Sequence, residues 1–244
     1  MSFAHQGYAI VNDVFSEADL LLARELVAHL VARHREGDPA VIAESISVAA
    51  VTRQHPQRNP GIISEQVENE PFIIGNLIAL DSRFARLFCI ASLWTTASKL
   101  LECAPEEVVF HFSNVTRKPP LNGPAIGWHR DADNSYFASA DHRTLRLLLP
   151  LQHMSGDNGG TQIVASSHLP GATHDVLISV PAIAPGSCLV LHSMVRHGGS
   201  PNRSNDERDV IVLQFGVIFS ELRHKADELL ALSGRNAFVK FIGN

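Results

Sequence analysis

The sequence predicts a mainly β fold with flanking helices, on three observations. From residue 108 onward, short apolar runs (108–112, 145–151, 187–192 and 210–219) alternate with clusters of Gly, Pro, Asn and Asp, the pattern of antiparallel strands in a sandwich or barrel. Before residue 105, apolar residues recur at helical spacing instead. The chain has 244 residues, and a β-barrel or sandwich of that length usually forms one domain. We therefore expect a single domain over 1–244, with a helical part over about 1–105, a β-core over about 106–220 and a C-terminal helix over about 221–244.

Along the chain, residues 8–11 read as a short β-prone strand. Ser16 and Asp19 form a capping pair ahead of a helix. In that helix Ala23, Leu26, Val27, Leu30 and Val31 make one buried stripe that runs to about His34. Residues 54–71 are polar, carry three prolines and read as a long loop, either a lid or a surface excursion. A second helix is expected over 82–101, with Pro105 beyond its end. A last one is expected over 221–232.

Composition narrows the class. About 45% of residues are hydrophobic and 18% charged, as in a soluble globular protein. A net charge of -5 argues against nucleic-acid and anionic-membrane partners, which need a basic face. No stretch reaches the roughly 20 apolar residues of a membrane span, and residues 1–7 lack the pattern of a signal peptide. Cys89, Cys103 and Cys188 are odd in number and widely spaced, which predicts reduced thiols and a cytoplasmic protein. No feature of the sequence sets an oligomeric state.

Of thirteen histidines, only His129 is followed two positions later by Asp. On a strand, i and i+2 share a face, so His129 and Asp131 would present an imidazole and a carboxylate side by side, with Arg130 pointing away. His34 and Glu36 have comparable spacing but sit on a helix, where i and i+2 diverge, and read as solvated surface. A lone His-x-Asp is a weak signal, and a third ligand is needed. His197, in a Gly-rich stretch after a strand, can supply it, with His192 at the strand end as its competitor. Two His and one carboxylate on one face of a metal leave positions open, as in non-haem Fe(II) oxygenases. Arg208, eleven residues after His197, favours His197. Its guanidinium is the planar two-pronged donor that a carboxylate-bearing cosubstrate needs, and a turn between strands could bring it alongside His197.

These residues resemble the phytanoyl-CoA dioxygenase family of 2-oxoglutarate-dependent oxygenases. The resemblance covers residues 108–219, and more faintly residues 7–11. Lys118-Pro119-Pro120 leading to Trp128-His129-Arg130-Asp131 is similar to the family's first metal segment. Asp157-Asn158-Gly159-Gly160 with Ser166-Ser167-His168 is similar to its Asn-Gly…Gly-Ser-His segment. His197-Gly198, Asn202, Ser204 and Arg208 match its distal run.

The resemblance implies a double-stranded β-helix (jelly-roll, cupin-like) core. It implies Fe(II) held by His129, Asp131 and His197, with Arg208 on the C5 carboxylate of 2-oxoglutarate. It also implies O2 as co-reactant, hydroxylation of an unactivated C–H bond, and release of succinate and CO2; the chain is short for the family, so a small metabolite or natural-product intermediate is expected as substrate rather than a bulky acyl-CoA. Asn114 occupies a strand position that often touches the cosubstrate. The family often carries Ser two residues after the distal His; here that position is Gly199, and Ser200 is the candidate to take over. Relatives that halogenate lack the metal carboxylate, so Asp131 favours hydroxylation. Desaturation, epimerisation and cyclisation share the cofactor chemistry and remain open.

Other positions carry two readings each. Trp128 either walls the cosubstrate pocket or fills the core. Asn134 and Tyr136 sit where a substrate loop is expected. Arg146 either grips an anionic substrate or faces outward from a half-exposed strand, and Arg143 reads as solvated at the strand entry. His111 and His153 read as satisfied strand histidines. The competing classes are a metal-binding jelly-roll without turnover and a zinc hydrolase; neither has an evident use for Arg208.

Overall fold

A computed structural model of the chain describes residues 2–134, 137–171, 178–222 and 227–243. Its strands are β1 (Tyr8–Val11), β2 (Ser45–Ser47), β3 (Pro71–Gly75), β4 (Val108–Lys118), β5 (Ile126–His129), β6 (Thr144–Pro150), β7 (Thr161–Val164), β8 (Ile178–Ser179), β9 (Cys188–His192), β10 (His197–Gly199) and β11 (Arg208–Val217). They form a seven-stranded sheet, in the order β1-β9-β6-β11-β4-β3-β2, and a four-stranded sheet, β5-β10-β7-β8. Every pairing is antiparallel. The two sheets make the jelly-roll core.

The period of two along each strand divides the larger sheet into two faces. On β6 and β11, Leu145, Leu147, Leu149, Ile211, Leu213 and Phe215 are buried in the main apolar core, with Leu26, Leu30, Phe84, Phe88 and Trp94 from the helices. Trp94 meets Phe215 edge-on at 4.9 Å and Phe238 at 5.5 Å, so three distant segments are joined by aromatic contacts. The alternate residues Arg146, Leu148, Val210 and Val212 face the other way and line a cavity.

The helix Glu17–Arg35 starts where expected. Ser16 Oγ accepts from the Asp19 N–H while the Asp19 carboxylate accepts from the Ser16 N–H, a complete capping box. Its stripe, Ala23 to Val31, is buried. His34 is buried as well, and its Nδ1 donates to Asn69 O at 3.2 Å, so it is a core histidine and not the solvated residue expected; Glu36 is exposed.

Two helices differ from expectation. The helix expected over 82–101 is two, Phe84–Phe88 and Ala91–Leu101. Ile90 leaves the helical region (φ -56°, ψ 125°) and turns the chain, and Trp94 Nε1 donates to the Phe88 carbonyl at the break. The last helix is Arg235–Gly243, not 221–232. Leu230 and Leu232 have positive φ, which a right-handed helix does not accommodate, and Leu232 N bonds to Phe110 O. Residues 223–226 of that expected helix lie outside the described residues.

The first hundred residues contribute more β-structure than expected, because β1, β2 and β3 join the larger sheet. The 54–71 segment is a wall rather than a surface excursion. It carries two short 3-10 turns and buries Asn59, Ile62 and Val67, and Asn59 Oδ1 accepts from Ala125 N at 2.7 Å. The three cysteines are free thiols. No helix among the described residues is long and apolar enough to cross a membrane.

The capping box gives the first prediction. Ser16→Ala removes one acceptor at the start of the longest helix and should cost about 1 kcal/mol of stability, read as a lower urea midpoint with an unchanged slope.

Candidate metal and cosubstrate site

His129 ends β5 and pairs directly with His197 of β10, so the two imidazoles project from one face with ring centroids 4.2 Å apart. Asp131 opens a one-turn 3-10 segment, Asp131–Asp133, held by a bond from Ala132 N to Ser193 O. The strand therefore ends before Asp131, yet its carboxylate still reaches both rings: Oδ1 lies 3.6 Å from His129 Nε2, and Oδ2 lies 3.8 Å from His197 Nε2. All three donor atoms fall within 4.8 Å of one another. Arg130 points away, its Nε donating to Met194 O at 3.0 Å.

The donor chemistry fits a divalent metal. His129 Nδ1 donates to Gly127 O at 2.9 Å, and His197 Nδ1 donates to Val195 O at 3.1 Å. Each bond fixes the proton on Nδ1 and leaves the Nε2 lone pair facing the cluster. Asp131 is buried, and its Oδ2 has no hydrogen-bond partner. Donors about 2.1 Å from a metal at right angles lie about 3 Å apart, close to the spacing here. Burial alone would push the Asp131 carboxyl up, but the neighbouring groups, the Arg146 guanidinium beside it first among them, hold it well below the usual carboxylate range. Of the competing histidines, His197 joins the cluster. His192 instead accepts from Met194 N through Nδ1 and packs beside His168 at 5.0 Å, and burial pushes it down to about 4.

The three donors open into a cavity of about 750 Å³. Arg208, Asn114, Asn134 and Arg146 line it. Arg208 is buried, and burial pushes it down to about 10. Among the described residues no carboxylate contacts it: Nη1 donates to the thioether of Met154 at 3.7 Å, and Nε has no partner there. It lies in the sheet opposite His197, so the two meet across the cavity rather than alongside, as the turn had suggested. Asn114 Oδ1 accepts from Thr116 Oγ1 at 3.2 Å.

Arg146 is not the outward-facing charge that its strand position suggested. Its Nη2 lies 3.3 Å from Asp131 Oδ1, its Nε donates to Gln214 Oε1 at 2.8 Å, and its guanidinium covers the Phe112 ring at 4.5 Å. Because Gln214 accepts from Arg146, its amide nitrogen donates to His111 Nδ1 at 3.0 Å and to Phe137 O at 3.1 Å. His111 thus carries its proton on Nε2, and burial pushes it down to about 3. Gln214 was not among the expected residues, although a glutamine inside an apolar strand was a visible signal. Arg143 is exposed at the strand entry, as expected, and His153 is exposed rather than a strand residue.

Trp128 and Ser200 lie outside the cavity wall. Trp128 is 39% exposed with Arg196 over its ring, neither pocket wall nor core. Ser200 offers its backbone carbonyl to Lys118 Nζ. Tyr136 lies outside the described residues. The Ser166-Ser167-His168 segment is structural. Ser166 Oγ donates to His5 O, His168 Nε2 donates to Ala4 O, and Ser167 Oγ accepts from Arg196 N, tying the N-terminal turn to the smaller sheet.

Residues 3–210 match the model of the family described as phytanoyl-CoA dioxygenase (PhyH). The chain belongs to the phytanoyl-CoA dioxygenase family. It is 25% identical over 169 residues to an ectoine dioxygenase of Sphingopyxis alaskensis, covering 68% of this chain and 48% of that one, so it spans about half the length of that curated relative. In fold it is similar to EctD from S. alaskensis with bound Fe, with a TM-score of 0.73 at 22% identity, over 96% of this chain and 82% of that one. It is also similar to SnoK, a non-heme alpha ketoglutarate dependent carbocyclase from nogalamycin biosynthesis, with a TM-score of 0.67 at 15% identity, over 89% and 80% of the two chains.

At the cavity rim, Glu228 accepts from Ser113 Oγ at 2.6 Å, and burial pushes its carboxyl up to about 8. Between about pH 4.3, the unfolded value, and pH 8, the unfolded chain gives up this proton while the folded chain keeps it. Stability from Glu228 is therefore full below pH 4.3 and falls as pH rises to 8. Glu228→Gln should lose that dependence, so urea midpoints of variant and wild type should diverge upward through this window, with the variant the more stable at pH 8 and above.

Proposed function

We propose that this chain is an Fe(II)- and 2-oxoglutarate-dependent dioxygenase that hydroxylates an unactivated C–H bond of a small molecule and works as one domain. The observation that carries the reading is the buried Arg208 guanidinium, which no carboxylate among the described residues contacts, facing the same cavity as the His129, Asp131 and His197 donors. A buried guanidinium without an anion is costly. A cosubstrate with a distal carboxylate would supply the missing charge. Family membership and the likeness to an iron-bound fold relative support the same conclusion.

When bound, Fe(II) and 2-oxoglutarate supply the oxidative chemistry, in which decarboxylation to succinate and CO2 is coupled to oxygen insertion from O2. The chain contributes holding and orientation. His129 Nε2, Asp131 and His197 Nε2 would hold the metal on one face, leaving the other open toward the cavity. Arg208 would grip the C5 carboxylate, with Asn114 on the same wall. Arg146 steadies the Asp131 carboxylate, which fixes the metal face. Asn134 borders the space left for substrate. A cavity of about 750 Å³ fits a small metabolite or natural-product intermediate beside the cosubstrate. The presence of Asp131 favours hydroxylation over halogenation.

The test is anaerobic addition of Fe(II) and 2-oxoglutarate, followed through the weak visible charge-transfer band of the chelate. Wild-type protein should give the band, and its absence would sink the reading. His197→Ala should abolish iron binding, and His192→Ala should not. Arg208→Ala should retain Fe(II) while weakening 2-oxoglutarate binding by about tenfold or more.

A further inference from the structure

Three side chains, Thr161, Met154 and Arg208, converge beside the cavity. Thr161 lies on β7, is buried and lines the cavity. The acceptor for its hydroxyl is the Met154 thioether, 3.8 Å away. The same sulfur, 3.7 Å from Nη1, is the acceptor for Arg208. A thioether is a weak acceptor, so a hydroxyl and a guanidinium converge where neither meets an oxygen. Arg208 Nε, also buried, has no partner among the described residues.

The strand register explains why Thr161 is the residue there. β7 and β10 pair antiparallel, with Ile163 opposite His197 and Thr161 opposite Gly199. Directly opposite residues of an antiparallel pair share a face, with Cβ positions about 5 Å apart. His197 faces the metal cluster, so position 199, two residues on, faces the interior too, and Thr161 faces it from the next strand. Gly199 has no side chain to offer. A Cβ there would lie 3.1 Å from Lys118 Nζ, whose buried amino group donates to Gly159 O at 2.9 Å and to Ser200 O. Lys118 thus occupies the space beside Gly199 and holds the Ser200 carbonyl away from the cavity.

We propose that the Thr161 hydroxyl is a second donor to the distal carboxylate of the cosubstrate, alongside Arg208, and does the work that no side chain at position 199 can do. The inference rests on the proposed use of 2-oxoglutarate. It assigns the hydroxyl to Thr161 and excludes Ser200. Thr161 is a binding residue here, acting on one end of the cosubstrate and not on the metal.

The experiment is an anaerobic titration of the Fe(II)-loaded protein, read by the chelate band. The ligands are 2-oxoglutarate and 2-oxopentanoate, a 2-oxoacid of equal length that lacks the distal carboxylate. Thr161→Val keeps the shape and removes the hydroxyl. It should weaken 2-oxoglutarate binding about tenfold, leave 2-oxopentanoate binding and the band position unchanged, and leave Fe(II) bound. Thr161→Ser should restore affinity to within about threefold of wild type. Unchanged 2-oxoglutarate affinity in Thr161→Val, or equal weakening for both 2-oxoacids, would overturn the proposal, the second result marking Thr161 as a packing residue. If Thr161→Val does not fold, Thr161→Ala is read by the same two titrations and the same criteria. A wild-type protein without the band removes the proposed function and this inference together. A wild-type band with an indifferent Thr161→Val removes this inference alone.

Discussion

The site depends on one cross-strand register. His129 and His197 are Cα partners in the β5–β10 ladder, and that pairing brings two imidazoles from positions 68 residues apart into contact. Because side chains alternate along a strand, a slip of one residue would turn one ring out of the cavity. Several bonds guard the register. Gly198 lies with its Cα close under the Ile126 and Gly127 carbonyls, where an added Cβ would meet oxygen at 3.0 Å. The Val195 and Gly127 carbonyls fix the ring orientations. Asn202 then ties the far end of the segment to the Lys118, Pro119 and Asp206 carbonyls.

The second constraint is electrostatic. The side chains of Asp131, Arg146 and Arg208 are charged groups at the cavity wall with little or no exposed surface. Each buried charge needs a partner. Asp131 has Arg146 and the two imidazoles, and Arg146 has Asp131, Gln214 and the face of Phe112. Arg208 has a thioether. That asymmetry sets Arg208 apart from the rest, and it points to a carboxylate-bearing molecule more directly than the size of the cavity does. A buried ion pair elsewhere shows the contrast: Arg117 is equally buried, but Asp209, Glu207 and Glu70 all contact it within 3.3 Å, so nothing about it calls for a ligand.

The candidate metal donors and Arg208 were legible because spacing carries them: an i, i+2 pair near a strand end, and an Arg eleven residues beyond a Gly-flanked His. The long helix was legible through its capping box and apolar stripe. What failed depended on contacts between distant segments. Arg146 sits between leucines, and its sequence neighbours do not distinguish a solvent-facing strand residue from one facing an enclosed cavity. His34 reads as surface until the Asn69 carbonyl arrives from another segment. The break at Ile90 and the irregular 227–232 stretch follow from packing and from left-handed backbone at Leu230 and Leu232, against local helical preference. Thr161 was invisible for a stronger reason: its meaning comes from the residue opposite it, and the register of β7 on β10 is not written in either strand alone.

The larger sheet separates stability from function by parity. On β6, odd positions 145, 147 and 149 enter the helix-covered core, whereas Arg146 and Leu148 face the cavity. On β11, Ile211, Leu213 and Phe215 enter the core, whereas Arg208, Val210 and Val212 face the cavity. The backbone that positions the polar groups is therefore anchored from behind by a continuous apolar layer. Cavity-facing residues can be exchanged without removing that anchor. The frame and the cavity wall are thus specified by opposite faces of the same strands, so a change on one face leaves the packing of the other in place.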